Sequence, residues 1–151
     1  VFNEQSELLK AFKNDELNKD FVAVVPFQGP KENGMPELHN LTPSLTILQK
    51  RGYKVGLVTD GRMSGASGKV PAAIHLTPEA KDGGIISKIK SGDLIKLDAI
   101  KGTLDLLNYE EVNKRNPKNF ERKNKNSLGR NLFENARSIV GSSEEGASFI
   151  L

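Results

Sequence analysis

No cysteine occurs among the 151 residues. The absence excludes disulfides, thiolate metal sites and any iron–sulfur cluster ligated by this chain alone. No apolar run approaches the roughly 18–20 residues of a membrane-spanning helix. The opening Val1-Phe2-Asn3-Glu4 shows neither the basic n-region nor the apolar h-region of a secretory signal. The expectation is a cytoplasmic protein with no membrane partner, which leaves the sequon Asn40-Leu41-Thr42 without meaning. Histidine is scarce: His39 and His75 stand too far apart to form a ligand pair by spacing, and His75, within an apolar stretch, reads as a core residue. Gly61-Arg62-Met63-Ser64-Gly65 lacks the Gly-x-Ser-x-Gly spacing of a hydrolase elbow, so Ser-His-Asp chemistry is unsupported. There is no internal repeat. With 36% apolar residues and 14 Gly, residues 1–151 suit one domain with a real core.

The net charge of +3 is unevenly placed. Residues 111–130 hold seven Lys or Arg against two Glu, a local +5 that leaves −2 for the rest. A basic stretch can mark nucleic-acid contact. This one carries five Asn, a Pro and a single aromatic, Phe120, so 111–128 reads as a solvated basic loop and no nucleic-acid partner is expected.

Apolar spacing predicts a helix over 4–13 with Leu8, Leu9 and Phe12 on one face, then a buried strand over 21–27. Thr42-Pro43 reads as N-cap and first helical residue of a helix that turns Leu45, Leu48 and Ile47 inward and stops near Gly52. A strand over 54–59 follows, and this β-loop-α-β order predicts a parallel pair with a crossover helix. Further expectations are a short strand over 72–76, a helix opening at Thr77-Pro78-Glu79, three meander strands (85–89, 94–98, 103–107), helices over 108–115 and 130–140, and a terminal strand over 147–151. The fold class is α+β: a barrel-like domain with a mixed sheet and helices outside.

The most informative segment is 58–80. An apolar strand ends in a glycine-rich loop holding Asp60, Arg62, Ser64, Ser67 and Lys69 within ten positions. Gly61, Gly65 and Gly68 allow close approach of backbone to ligand. Polar groups on a loop at the end of a buried strand are how α/β proteins build sites, although a solvated glycine-rich turn has the same composition. The loop is not a Walker A motif, because six residues separate Gly61 from Gly68-Lys69 and Val70 follows the lysine. Asp60 reads as an acceptor of backbone N–H groups that orients the loop.

That run resembles the signature of the dihydroxyacid and 6-phosphogluconate dehydratase family. Matching segments lie in order on both sides: Phe27-Gln28-Gly29-Pro30-Lys31-Glu32-Asn33-Gly34-Met35-Pro36-Glu37-Leu38, Gly83-Gly84-Ile85-Ile86, Ser91-Gly92-Asp93-Leu94-Ile95, Gly129-Arg130-Asn131-Leu132-Phe133 and Gly146-Ala147-Ser148. Family members are several times longer, so the chain looks like a C-terminal portion. The resemblance implies a swivelling β/β/α barrel-like domain, in agreement with the α+β reading. It also implies a missing N-terminal domain as partner and a homodimer. The implied reaction removes water from a 2,3-dihydroxy acid to give an enol that tautomerises to the 2-oxo acid. Such chemistry needs a base at C2, a Lewis acid on the C3 oxygen and stabilisation of the enolate-like carboxylate.

The resemblance assigns the base to Ser64 and Mg²⁺ ligation to Glu37, with an iron–sulfur cluster whose ligands must lie outside this chain. A serine hydroxyl needs nearby positive charge or donors to act as a base, and Arg62, Mg²⁺ and loop N–H groups are the candidates. Lys69 and Ser67 look like phosphate ligands, with Lys31 a second cation, because Gly68-Lys69-Val70-Pro71-Ala72-Ala73-Ile74-His75 follows the branch acting on a phosphorylated sugar acid. From the residues alone, Ser64 also fits a loop-capping hydroxyl and Glu37 a surface carboxylate. The rival readings are another dihydroxy-acid or sugar-acid dehydratase and a stand-alone phosphate-binding or regulatory domain. The chain by itself is expected to be inactive.

Overall fold

The computed structural model describes residues 1–64, 68–121 and 127–150. At its centre, β1 (Phe21–Val25) and β2 (Val55–Thr59) pair in parallel, Phe21 opposite Val55 and Val25 opposite Thr59. The crossover is α3 (Thr42–Lys50). A two-residue strand, β3 (Ala72–Ala73), runs parallel on the other side of β2, giving the order β1-β2-β3. Every residue of β2 is buried, as a central parallel strand covered on both faces requires. Successive side chains point to opposite faces, and the core divides accordingly. Ala23, Val25, Val55 and Leu57 join Leu8, Leu38, Leu41, Leu45 and Leu48 on one side. Val24 and Val58 join Phe27, Ile86, Ile89 and Val112 on the other.

The first cluster is closed by α1 (Gln5–Lys13), which buries Leu8 and Ala11 and rests Leu9 and Phe12 against it. The second is flanked by an antiparallel hairpin of β4 (Ile95–Asp98) and β5 (Thr103–Leu106), which packs Ile95, Leu104 and Leu106 inward. Helix α4 (Tyr109–Asn113) adds Val112. The C-terminal segment carries α5 (Leu128–Leu132), whose N-cap Ser127 accepts the Arg130 N–H, and α6 (Glu134–Ile139). No helix among the described residues is long and apolar enough to cross a membrane.

The α+β class holds, and the predicted parallel pair with its crossover helix is present. Among the described residues the strands form an open sheet and a separate hairpin, with no closed barrel. Strand 21–27 stops at Val25 because Phe27 takes a left-handed φ of 62°. Thr42 is the first helical residue rather than the cap, and its hydroxyl donates to Met63 Sδ inside the core. Ile47 is exposed. The meander loses its first strand: residues 85–88 form a 3₁₀ turn, with the Ser87 hydroxyl donating to the Gly84 carbonyl at 2.7 Å. No helix opens at Thr77-Pro78; that peptide bond is cis, and a 3₁₀ turn over 80–82 follows with Glu79 at its N-cap. Strand 72–76 shortens to two residues. Helix 130–140 is two helices, and residues 147–150 form no strand; Leu151 lies outside the described residues. Part of the basic segment is anchored. Phe120 stacks on Phe27 at 4.9 Å, the Lys118 N–H donates to the Ser87 carbonyl, and Arg115 pairs with Asp93 at 2.6 Å. Residues 122–126 lie outside the described set.

Candidate functional site

The site begins where β1 and β2 end. The Thr59 hydroxyl donates to the Val25 carbonyl at 2.7 Å and accepts the Gly61 N–H at 3.0 Å, locking the two strand ends together. Asp60, fully buried, ties three segments to this point. Its Oδ1 accepts the Gln28 N–H at 2.8 Å, and its Oδ2 accepts those of Phe27 at 3.2 Å and Ala80 at 2.8 Å. Burial pushes its carboxyl above the ordinary value, against the pull of those N–H groups. Gly61 passes so close to residue 28 that a Cβ there would stand 2.5 Å from Gln28 Cβ, which makes glycine a steric requirement.

From this anchor the chain runs beside 35–38. Arg62 forms a parallel bridge with Glu37, and its carbonyl accepts the Leu38 N–H at 3.1 Å. The guanidinium donates from Nε to the Met35 carbonyl at 2.8 Å and from Nη1 to Glu37 Oε2 at 3.0 Å. Glu37 Oε1 accepts the Ser64 N–H at 2.8 Å and the His39 N–H at 2.9 Å. The Ser64 N–H first, then the His39 N–H and the Arg62 charge, hold the Glu37 carboxyl below its ordinary value. Glu37 is therefore an anion throughout the neutral range, and the exposed Ser64 is held by its backbone to that anion.

The structure thus brings together Glu37, Arg62 and Ser64, three of the residues singled out in the sequence. Lys31 goes elsewhere: it lies on α2 (Pro30–Asn33), with its ammonium 2.6 Å from Asp82. Lys69 is exposed beyond the loop, and Ser67 lies outside the described residues. His75 is exposed rather than in the core; its φ of 59° turns the side chain out while its N–H donates to the Gly61 carbonyl. His39 Nδ1 is buried without a partner among the described residues. Glu79 went unremarked in the sequence beyond its acidic character. Buried and with its carboxyl pushed up by that burial, it accepts the Lys31 and Glu32 N–H groups at 3.0 Å and so fixes α2 behind the site.

Arg62 also borders a cleft of about 1120 Å³ between the 33–35 turn and the C-terminal helices. Arg130 crosses its wall, donating from Nη2 to the Glu32 carbonyl at 3.0 Å and from Nη1 to Asn33 Oδ1 at 3.3 Å, with the Glu32 carboxylate 3.6 Å away.

Among the described residues, Glu37 is the side chain at this site that can offer a divalent cation a carboxylate oxygen. Two N–H groups occupy Oε1 and one occupies Oε2, leaving one acceptor direction on Oε2 of a side chain 33% exposed. No group of three or more acidic or histidine ligands exists among the described residues. One carboxylate oxygen is a fitting contribution to Mg²⁺, which keeps several waters and takes one or two protein carboxylates. The chain has no cysteine to offer a cluster.

Together these features describe an α+β domain that presents a serine, a carboxylate and a guanidinium at the carboxyl ends of two parallel strands, where such strands bind ligands. The family model described as dihydroxy-acid/6-phosphogluconate dehydratase C-terminal matches residues 1–147. The chain belongs to that family and corresponds to its C-terminal domain. It is 55% identical over 152 residues to a phosphogluconate dehydratase of Rhizobium meliloti, covering 99% of this chain and 25% of the relative. It is 59% identical over 153 residues to a phosphogluconate dehydratase of Helicobacter pylori, covering 97% and 25%. A dihydroxy-acid dehydratase of Methanosphaera stadtmanae matches at 38% over 117 residues, covering 76% and 21%. The chain spans about a quarter of the length of the curated relatives it matches.

Proposed function

We propose that the chain is the C-terminal domain of a 6-phosphogluconate dehydratase, supplying the base-bearing loop for loss of water from 6-phosphogluconate to give 2-dehydro-3-deoxy-6-phosphogluconate. The remaining domain, cytoplasmic and part of a homodimer, carries the cysteines this chain lacks. The observation that supports the reading is the convergence of Ser64 and Arg62 on the Glu37 carboxylate.

In this reading Ser64 Oγ, as its alkoxide, takes the C2 proton, the C2–H electron pair forms the C2=C3 bond as the C3–O bond breaks, and the departing hydroxide takes the proton from Ser64 to leave as water; the enol then loses its C2 hydroxyl proton and gains one at C3 to become the 2-oxo acid. Arg62 supports the role by offsetting the Glu37 charge beside Ser64, which would otherwise oppose negative charge on the serine. Its guanidinium is fixed by Met35 and Glu37 rather than left to swing in solvent. Glu37 would hold Mg²⁺ through the open direction on Oε2, with waters and acids from the other domain completing the shell. When bound, Mg²⁺ and the cluster supply Lewis acidity at the carboxylate and the leaving hydroxyl. Lys69, exposed at the loop's end, together with Ser67, offers charge and a hydroxyl to the phosphate.

The test is turnover. Full-length enzyme with its cofactors is expected to convert 6-phosphogluconate to a 2-oxo acid, detected as its hydrazone, and the 151-residue chain alone to be inert. Turnover by the purified chain, or full-length enzyme that dehydrates only unphosphorylated acids, would overturn the reading.

A further inference from the structure

The cleft beside Arg62 and Arg130 holds a third guanidinium whose position no role above explains. Arg137, on α6, donates from Nη2 to the Arg130 carbonyl at 2.8 Å. No carboxylate pairs with it among the described residues, whereas Arg62 is paired with Glu37 and Arg130 with Glu32. Arg137 lines the cleft, and four of its five N–H donors have no described acceptor. Phe133, Val140 and Phe149 line the same cleft and keep part of it apolar, which strengthens any charge interaction made there. Burial first and then the neighbouring Arg130 work against the charged form of Arg137, partly offset by Glu134 and Glu32, and an incoming anion would offset the Arg130 repulsion.

The cleft also has carboxylates on its wall, Glu4, Glu7 and Glu121. Glu7 is committed to the Asn3 N–H at 2.8 Å. Arg130 and Arg137 stand together on one wall, where Glu32 pairs with Arg130 and Glu134 and Glu32 act on Arg137 only through space. Arg62 borders both the cleft and the serine site, so the two spaces adjoin at that side chain. At about 1120 Å³ the cleft is large enough for a ligand the size of 6-phosphogluconate.

We propose that this end of the cleft is a phosphate subsite, with Arg137, in addition to the loop's Lys69 and Ser67, as a residue that reads the substrate's phosphate and Arg130 as its neighbouring guanidinium. The inference rests on the dehydratase reading above and deepens it. Lys69 gives the loop a flexible surface charge; Arg137 gives a planar fork, the geometry suited to bidentate contact with phosphate oxygens. Its attachment to the Arg130 carbonyl holds that fork in place.

The experiment uses full-length, cofactor-loaded enzyme and three readouts: kcat/KM for 6-phosphogluconate, kcat/KM for unphosphorylated gluconate, and inhibition by inorganic phosphate. Arg137→Met is expected to lower the ratio of the two kcat/KM values by roughly 10- to 100-fold, the scale of one charge-assisted contact. It should weaken phosphate inhibition in parallel, and Arg137→Lys should recover part of both. A parallel loss on both substrates, with phosphate inhibition unchanged, would make Arg137 a packing residue and overturn the subsite. An unchanged ratio would overturn it equally. Wild-type enzyme with no preference for the phosphorylated acid would overturn the substrate reading and the subsite together, which separates that failure from the first two.

Discussion

Replacing Asp60 with Asn keeps the size of the side chain and removes one acceptor oxygen from a buried clamp. The carboxylate takes three N–H groups, two on Oδ2 and one on Oδ1. An amide can present its oxygen at the Oδ2 position, keeping the Phe27 and Ala80 bonds, but its NH₂ then faces the Gln28 N–H. In the other orientation two donors are lost. A buried donor left without an acceptor costs about 1–3 kcal/mol. Burial also penalises the charge of Asp60, so its removal returns part of this, and a net loss of about 1–2 kcal/mol is expected. For a domain of this size that corresponds to a drop of roughly 2–8 °C in Tm. Asp60→Ala removes all three acceptors and should lose more than Asn. Thermal unfolding followed by circular dichroism at neutral pH measures both. An Asn variant as stable as the wild type, or an Ala variant better than Asn, would refute the reasoning that this carboxylate holds the three segments together.

Asp93, half-buried and bridged by Arg115, has its carboxyl lowered to about 2 from 3.8, first by the Arg115 hydrogen bonds. A folded-state value below the unfolded one contributes stability that is present above about pH 4 and lost as pH falls towards 2, about 2 kcal/mol in all; acid titration of wild type against Asp93→Asn should show the difference between them shrinking across that window. Gly61→Ala places a Cβ 2.5 Å from Gln28 Cβ and 3.0 Å from the Gln28 carbonyl oxygen, so it should cost about 1–3 kcal/mol in urea unfolding. Glu37→Gln breaks an ion pair with side chains 33% and 51% exposed, worth at most about 1 kcal/mol. Its effect should therefore be a higher Mg²⁺ requirement of the full-length enzyme with little change in melting, and an unchanged Mg²⁺ titration would remove Glu37 from the metal site.

Where local pattern and burial agree, the sequence was readable. The Val-rich runs around 21–25 and 55–59 are continuous apolar strands, and they pair in parallel through the predicted crossover helix. Asp60 was legible as a backbone acceptor because it follows a buried strand and precedes glycine, although its partners, at 27, 28 and 80, come from far along the chain. The segment at 85–89 misled because a short apolar run does not distinguish strand from turn. What decides it is Gly84, packed so tightly that a Cβ would lie 1.8 Å from the Pro78 carbonyl oxygen. Thr77-Pro78-Glu79 carried a helix-start pattern, yet Glu79 spends its carboxylate on α2, a partner some 48 residues away. Lys31 looked like a free cation until the fold brought Asp82 to it. Arg137 gave no local signal; its meaning comes only from the cleft that α6 lines.

The central claim is that this domain carries the base of the dehydration on Ser64. The most direct measurement is the steady-state rate of full-length enzyme bearing Ser64→Ala, with metal and cluster content determined on the same sample. The backbone N–H that binds Glu37 is untouched by the substitution, so the loop should keep its shape. The account predicts a fall in kcat of roughly 100-fold or more with KM and cofactor content within a few-fold of wild type. A variant that turns over 6-phosphogluconate at close to the wild-type rate, with an unaltered pH profile, would contradict it.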